Sequence, residues 1–196
     1  MVLRNSIYLK YNSMRITCLL LLSLIFPSMY AQIYMAKSGE ISFFSQASLE
    51  NIDAKNSNAR PAMDTKSGKI TVRASMKAFK FKSGLMEEHF NENYVESEKY
   101  PHATFEGKIK DNDKIDYTKD GEYNVVCDGK MTLHGETKDV SASGKLIIKG
   151  NKILIDSKFK LKLADYKIEI PAQRLANIAE TVDVTVKAEM EPLKKQ

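Results

Sequence analysis

The chain contains no tryptophan, only two cysteines, three histidines and five prolines among its 196 residues. Each scarcity removes a class of protein. One of the cysteines, Cys18, lies in an apolar N-terminal run, so the body of the protein has a single thiol, Cys127, and must be held by its core without an internal disulfide. Glu87, Glu88 and His89 are consecutive, and consecutive helix positions splay around the axis; no second histidine completes a His-Glu-x-x-His zinc helix. His102 stands beside a proline and His134 in a hairpin corner, so no metal site is expected. Gly-x-Ser-x-Gly is missing and Cys127 has no base near it in sequence, which leaves covalent catalysis without a signature. The expectation is a protein that is not an enzyme and carries no cofactor. No apolar run approaches the ~20 residues of a membrane-spanning helix, and no internal repeat, low-complexity tract or linker divides the chain.

What the N-terminus does contain is Arg4, Lys10 and Arg15, an apolar run over residues 16–26, then Pro27, Ser28 and Ala31. This order of charge, short apolar core and small-residue exit reads as a secretory signal peptide over residues 1–31, cleaved after Ala31, with Met14 an alternative start. A periplasmic or secreted location is the expectation. Residues 15–17 offer no small residues before Cys18, so lipidation there is not expected. Removal of the leader takes away three basic residues and no acidic one, lowering the formal charge from +5 to +2. The remaining residues, 32–196, form one domain with charges of both signs interspersed, and no electrostatic footprint for nucleic acid is left.

Those residues alternate apolar and polar side chains with a period of two, the pattern of half-buried strands. Strands are expected over residues 39–46, 49–56, 69–79, 102–110 and 122–133, then from Val140 to Ile148, from Ile153 to Leu163, and over 181–190. Residues 33–38 read as a lead-in. Residues 56–68, with Pro61, Asp64, Ser67 and Gly68, read as a loop; residues 111–121 read as a charged loop. His134-Gly135 and residues 149–152 read as hairpin turns, and one helical turn is expected through Arg174 to Asn177. The alternation fails once, between Lys82 and Lys108. There Leu85, Met86, His89, Phe90, Tyr94 and Val95 recur at spacings of three and four, placing a short helix over residues 85–95 before Pro101 returns the chain to the sheet.

About eight short strands, each with one wet face, predict an all-β fold: a single antiparallel β-barrel with one short helical insertion at the rim, roofing a ligand hollow. Many inward positions are small (Ala74, Ala103, Gly107, Gly129, Ala142, Gly144, Ser157, Ala188), which a core packed to ordinary density would not favour. The residues expected to line the hollow are Phe43, then Val72, Ala74 and Met76, then Phe105 and Gly107. Val125, Cys127 and Met131 follow, then Ala142 and Leu146, Phe159 and Leu161, and Val184, with Met86 and Phe90 from the helix at the mouth. A sandwich packed across by Phe43, Met76, Phe105 and Phe159, serving as a structural or interaction domain without a ligand, is the alternative. Lys158, Lys160 and Lys162 read as a solvated outer face, with transient contact to anionic membrane surfaces as the second reading. Nothing in the pattern fixes an oligomeric state.

Three motifs add a resemblance covering residues 39–191: HFNENYVESEKYPHATFEGKI at 89–109, DGKMTLHGETKDV at 128–140, and LADYKIEIP at 163–171. In this order they resemble the YceI-like family of periplasmic lipid- or polyisoprenoid-binding proteins. Met131 stands where the family usually has leucine. Glu136 stands where it usually has valine, at a hairpin tip expected to be exposed. The resemblance implies a lipocalin-like barrel, without enzymatic activity, holding a long apolar lipid such as a polyisoprenoid or an isoprenoid-quinone-like ligand.

Overall fold

The computed structural model describes residues 32–193, so the expected leader, its cleavage position and Cys18 lie outside the described residues. Ten strands run in order: β1 (Ile33–Met35), β2 (Gly39–Gln46), β3 (Asn51–Asp64), β4 (Lys69–Ser75), β5 (Lys80–Phe81), β6 (His102–Ile109), β7 (Gly121–Leu133), β8 (Glu136–Lys149), β9 (Lys152–Lys162) and β10 (Thr181–Pro192). Every pairing between them is antiparallel. The last strand closes the sheet: β10 pairs with β9 from Thr181↔Lys162 to Met190↔Ile153 and with β2 from Asp183↔Phe44 to Ala188↔Gly39. The result is a closed eight-stranded barrel of β2, β3, β4, β6, β7, β8, β9 and β10, with β1 and β5 as short additions. The period-two pattern explains the curl, because Val182, Val184 and Met190 of β10 are buried while Asp183, Lys187 and Glu189 are exposed.

The sequence reading fails at residues 56–68. Instead of a loop, β3 continues to Asp64, with buried Pro61 inside it. A proline lacks the N–H that a ladder position needs. Here none is needed, because β3 pairs with β2 as far as Ala59 and with β1 from Ala62 onward, leaving Pro61 at the change of neighbour. Its carbonyl accepts from the Ala36 N–H at 3.1 Å. The supposed lead-in is thus β1, a strand wedged between β3 and β10. The strand expected over 69–79 ends at Ser75 and gives way to a 3₁₀ turn at Met76–Ala78. That turn leaves a split in the wall between the β3–β4 and β3–β5 ladders. Fully buried Asn56 fills it, donating from Nδ2 to the Ser75 carbonyl and accepting from the Asn58 N–H, both at 2.8 Å.

The two ends of the barrel differ. At one end His134 and Gly135, both with positive φ, make the tight β7–β8 hairpin, and the excursion between β5 and β6 carries α1 (Gly84–His89), which runs into a π-helical turn at Phe90–Tyr94. At the same end the β9–β10 connection forms 3₁₀ turns at Leu163–Tyr166 and Ala172–Arg174, and the turn expected at 174–177 follows, the Asn177 and Ile178 N–H groups donating to the Arg174 carbonyl at 2.9 and 3.0 Å. The opposite end is shut by residues 110–120, whose Ile115 and Tyr117 pack on the core beside Tyr123. Tyr117 donates to Asn112 Oδ1 at 2.7 Å, and Asn112 Nδ2 donates to the Thr65 carbonyl at 2.9 Å. Burial pushes the Tyr117 phenol well above its ordinary range, as expected of a plug.

Two hydrophobic clusters result instead of one. The closed-end cluster includes Tyr34, Met63, Ile70, Leu146, Ile153 and Met190; the helix-end cluster includes Met76, Phe79, Val95, Leu161, Val182 and Val184. A globular domain ordinarily has one contiguous core. A division across the middle of a barrel means that the centre is not filled by side chains.

Candidate functional site

A cavity of about 420 Å³ occupies that centre, bordered by residues of both clusters and by every barrel strand. Its size falls within the ~300–1,000 Å³ range of small-molecule pockets, and its wall is almost wholly apolar. At the helix end its rim is formed by Leu85, Met86 and His89 of α1, by Glu50 of the turn after β2, and by Arg174, Asn177 and Ile178.

Of the residues expected to line a hollow, Phe43, Val72, Ala74, Met76, Phe105, Val125, Cys127, Met131, Ala142, Leu146, Phe159, Leu161 and Val184 border this cavity, as do Met86 and Phe90 of the helical insertion. Gly107 does not. A Cβ there would lie 2.6 Å from Phe105 Cζ, and one on Gly129, its cross-strand partner, would lie 2.8 Å from the same atom. These two glycines are a seat on which the Phe105 ring lies flat. Of the small inward residues, Ala74, Ala103, Ala142, Gly144 and Ser157 border the cavity, whereas Gly107, Gly129 and Ala188 do not. The four residues of the packed-sandwich alternative all border the cavity instead of filling it.

Beneath the helix lies an aromatic cluster. Phe90 sits 5.7 Å from Phe43, 5.7 Å from Phe79 and 5.0 Å from Phe81 between ring centroids. Such pairs add about 0.5–1.5 kcal/mol each beyond the area they bury. Phe79 and Phe81 were missed as site residues, although their alternation with Lys80 and Lys82 carried the signal. Ile168 and Ile178 also border the cavity, from a segment with no periodicity to reveal them, as does Leu163 at the end of the alternation that begins at Ile153. Leu85, expected to face inward, borders the mouth but is 60% exposed.

Most polar groups gather at the rim; within the wall Ser157 borders the cavity and donates to the Ser143 carbonyl at 2.9 Å. Ser45, buried, accepts from the Ala179 N–H at 2.9 Å, and Asn177 Nδ2 donates to Glu50 Oε2 at 3.4 Å. His89 and Arg174 also border the opening. Inside, Cys127 is buried, and desolvation with the nearby Asp128 charge pushes its thiol up to about 11, so it stays protonated and unreactive at neutral pH.

One side of the rim is tied by His134. Its Nδ1 lies 3.0 Å from the Tyr166 carbonyl and its Nε2 lies 2.7 Å from Glu96 Oε2, with the Tyr100 ring edge-on at 4.7 Å between centroids. This joins the β7–β8 hairpin to the segment after the helix and to the turn after β9. Glu136, expected to be exposed at the hairpin tip, is half-buried and paired with Lys167 at 2.6 Å; that hydrogen bond holds its carboxyl below the ordinary range. On the outer wall Lys160 pairs with Asp183 at 2.7 Å across β9 and β10, so the lysine ladder is partly neutralised.

A closed antiparallel barrel with an apolar cavity at its centre is an architecture that can hold one small ligand. The chain belongs to the YceI-like domain family, whose model matches residues 34–190. No curated protein matches it. Among solved structures it resembles a polyisoprenoid-binding domain from Saccharophagus degradans implicated in plant cell wall breakdown (16% identity, 83% of this chain and 99% of that one, TM-score 0.68). It also resembles Burkholderia cenocepacia BcnA (14% identity, 77% and 95%, TM-score 0.64). A third likeness is to the Campylobacter jejuni YCEI protein (19% identity, 70% and 81%, TM-score 0.52). At these identities the likeness is one of fold.

Proposed function

We propose that the protein is exported through a cleaved leader at residues 1–31 and holds one long apolar lipid, a polyisoprenoid or isoprenoid-quinone-like molecule, in the barrel without chemically altering it. The observation that carries this reading is the interior cavity of about 420 Å³ with its apolar wall. Burial contributes ~0.8 kcal/mol per methylene, so ~20 buried ligand carbons give about 16 kcal/mol before association and ordering costs. Affinity then requires no polar motif, in keeping with a wall that is almost wholly apolar. The polyisoprenoid-binding domain of the Saccharophagus degradans neighbour supports the choice of ligand class.

The test is mass spectrometry of organic extracts from the folded, purified protein. One long-chain lipid at near-stoichiometric amount is the expected result, and protein that is consistently free of lipid would overturn the reading.

A further inference from the structure

Seven large hydrophobic residues stand exposed among the described residues, and three of them sit on the three segments that frame the cavity mouth. Leu49 in the turn after β2 is 75% exposed, Leu85 in the first turn of α1 is 60% exposed, and Leu175 beside Arg174 is 49% exposed. They are not loosely placed. The Leu49 N–H donates to the Ala176 carbonyl at 2.8 Å, which fixes the Leu49 and Leu175 segments side by side, and Leu85 borders the opening itself.

Charges of both signs surround them. Lys82 pairs with Asp53 at 2.9 Å and Lys80 pairs with Glu87 at 2.5 Å, while Glu50 and Arg174, of opposite sign, border the opening outside any ion pair among the described residues, so this rim has no strong field of one sign. Leucines that protrude beyond such a rim can enter an apolar medium while the charges stay at the polar headgroup level.

We propose that the mouth is a docking face for a lipid bilayer, with Leu49, Leu85 and Leu175 inserting among the acyl chains so that ligand passes between membrane and cavity without crossing water. Continuity of apolar surface selects this occupant: the cavity wall runs out through Phe81 and Met86 to Leu85, so a bilayer pressed on the rim extends the lining outward. A facing protein would need side chains to plug the opening as well as to cover three separate leucines. The proposal rests on the lipid-holding reading, but its failure is separately visible.

The absence of tryptophan supplies a clean reporter. In Leu175→Trp the single indole should shift to the blue and gain intensity when phosphatidylcholine vesicles are added. In Ile33→Trp, at the closed end, it should not move. The shift should persist at about 1 M salt, where the screening length is ~3 Å. In vesicle flotation the triple variant Leu49→Ser, Leu85→Ser, Leu175→Ser should lose at least fivefold of the wild-type bound fraction while retaining the wild-type far-ultraviolet circular dichroism. An unshifted Leu175→Trp indole, an equal shift in Ile33→Trp, or undiminished flotation of the triple variant overturns the docking face. Lipid-loaded protein that fails to float overturns docking alone, and protein that floats but never carries lipid overturns only the holding function.

Discussion

At the scale of single residues, the two seat glycines make distinct demands. At Gly129 a Cβ would lie 2.4 Å from the Glu106 carbonyl oxygen and 2.5 Å from Gly107 Cα, backbone that cannot move without breaking the β6–β7 ladder. At Gly107 the nearest obstacle is the Phe105 ring, which can rotate away. Gly129→Ala should therefore cost about 3 kcal/mol or more, and Gly107→Ala closer to 1–2 kcal/mol, by overpacking. Urea unfolding midpoints would separate the two, and equal costs would contradict the assigned obstacles. Cys127 makes a pH prediction whose sign is fixed. Its folded value, about 11, lies above the ordinary 9.0, so the fold favours the protonated thiol. That contribution is complete below pH 9 and is lost as the pH rises towards 11. Between about pH 8 and about pH 10.5 the wild type should lose more stability than Cys127→Ala, a difference that cancels the shared titration of the lysines.

At the scale of elements, the helical insertion is a roof resting on phenylalanines. Met86 and Phe90 both border the cavity, and Phe90 completes the aromatic cluster with Phe43, Phe79 and Phe81. Replacing both with aspartate should remove retained lipid while the barrel keeps its far-ultraviolet circular dichroism. Unchanged lipid content would show that the helix braces the rim without closing it. This element was legible because a three-and-four spacing interrupts a period of two, and the barrel wall was legible because β10 and β9 alternate without a break. The β3 extension was hidden. Turn-forming residue types at Pro61, Asp64, Ser67 and Gly68 outweighed the pattern, and only the change of neighbour from β2 to β1 reveals why Pro61 is tolerated there. Between Leu163 and the turn at Arg174 the chain was opaque for a different reason, since 3₁₀ turns shaped by the elements around them carry no repeat.

At the scale of the whole molecule, the charged outer wall and the divided core belong together. Ion pairs such as Lys130–Asp139 at 2.9 Å and Lys110–Asp128 at 2.7 Å are exposed and contribute little individually, about 0–1 kcal/mol each. Stability must come from the two apolar clusters and the barrel ladders, and a ligand lying between the clusters would add to both.

Barrel closure also fixes an order of events. The strand that seals the wall is the last in the chain, and it does so against β2, one of the first, while β1 is clasped between β10 and β3. A chain emerging N-terminus first cannot complete its wall until residues 181–192 are free. Pairing so distant in sequence makes folding slow, in the millisecond-to-second range typical of non-local β topologies. Until then the apolar faces destined for the cavity stay open to solvent, so the arrival of the final strand is also the step that creates the cavity.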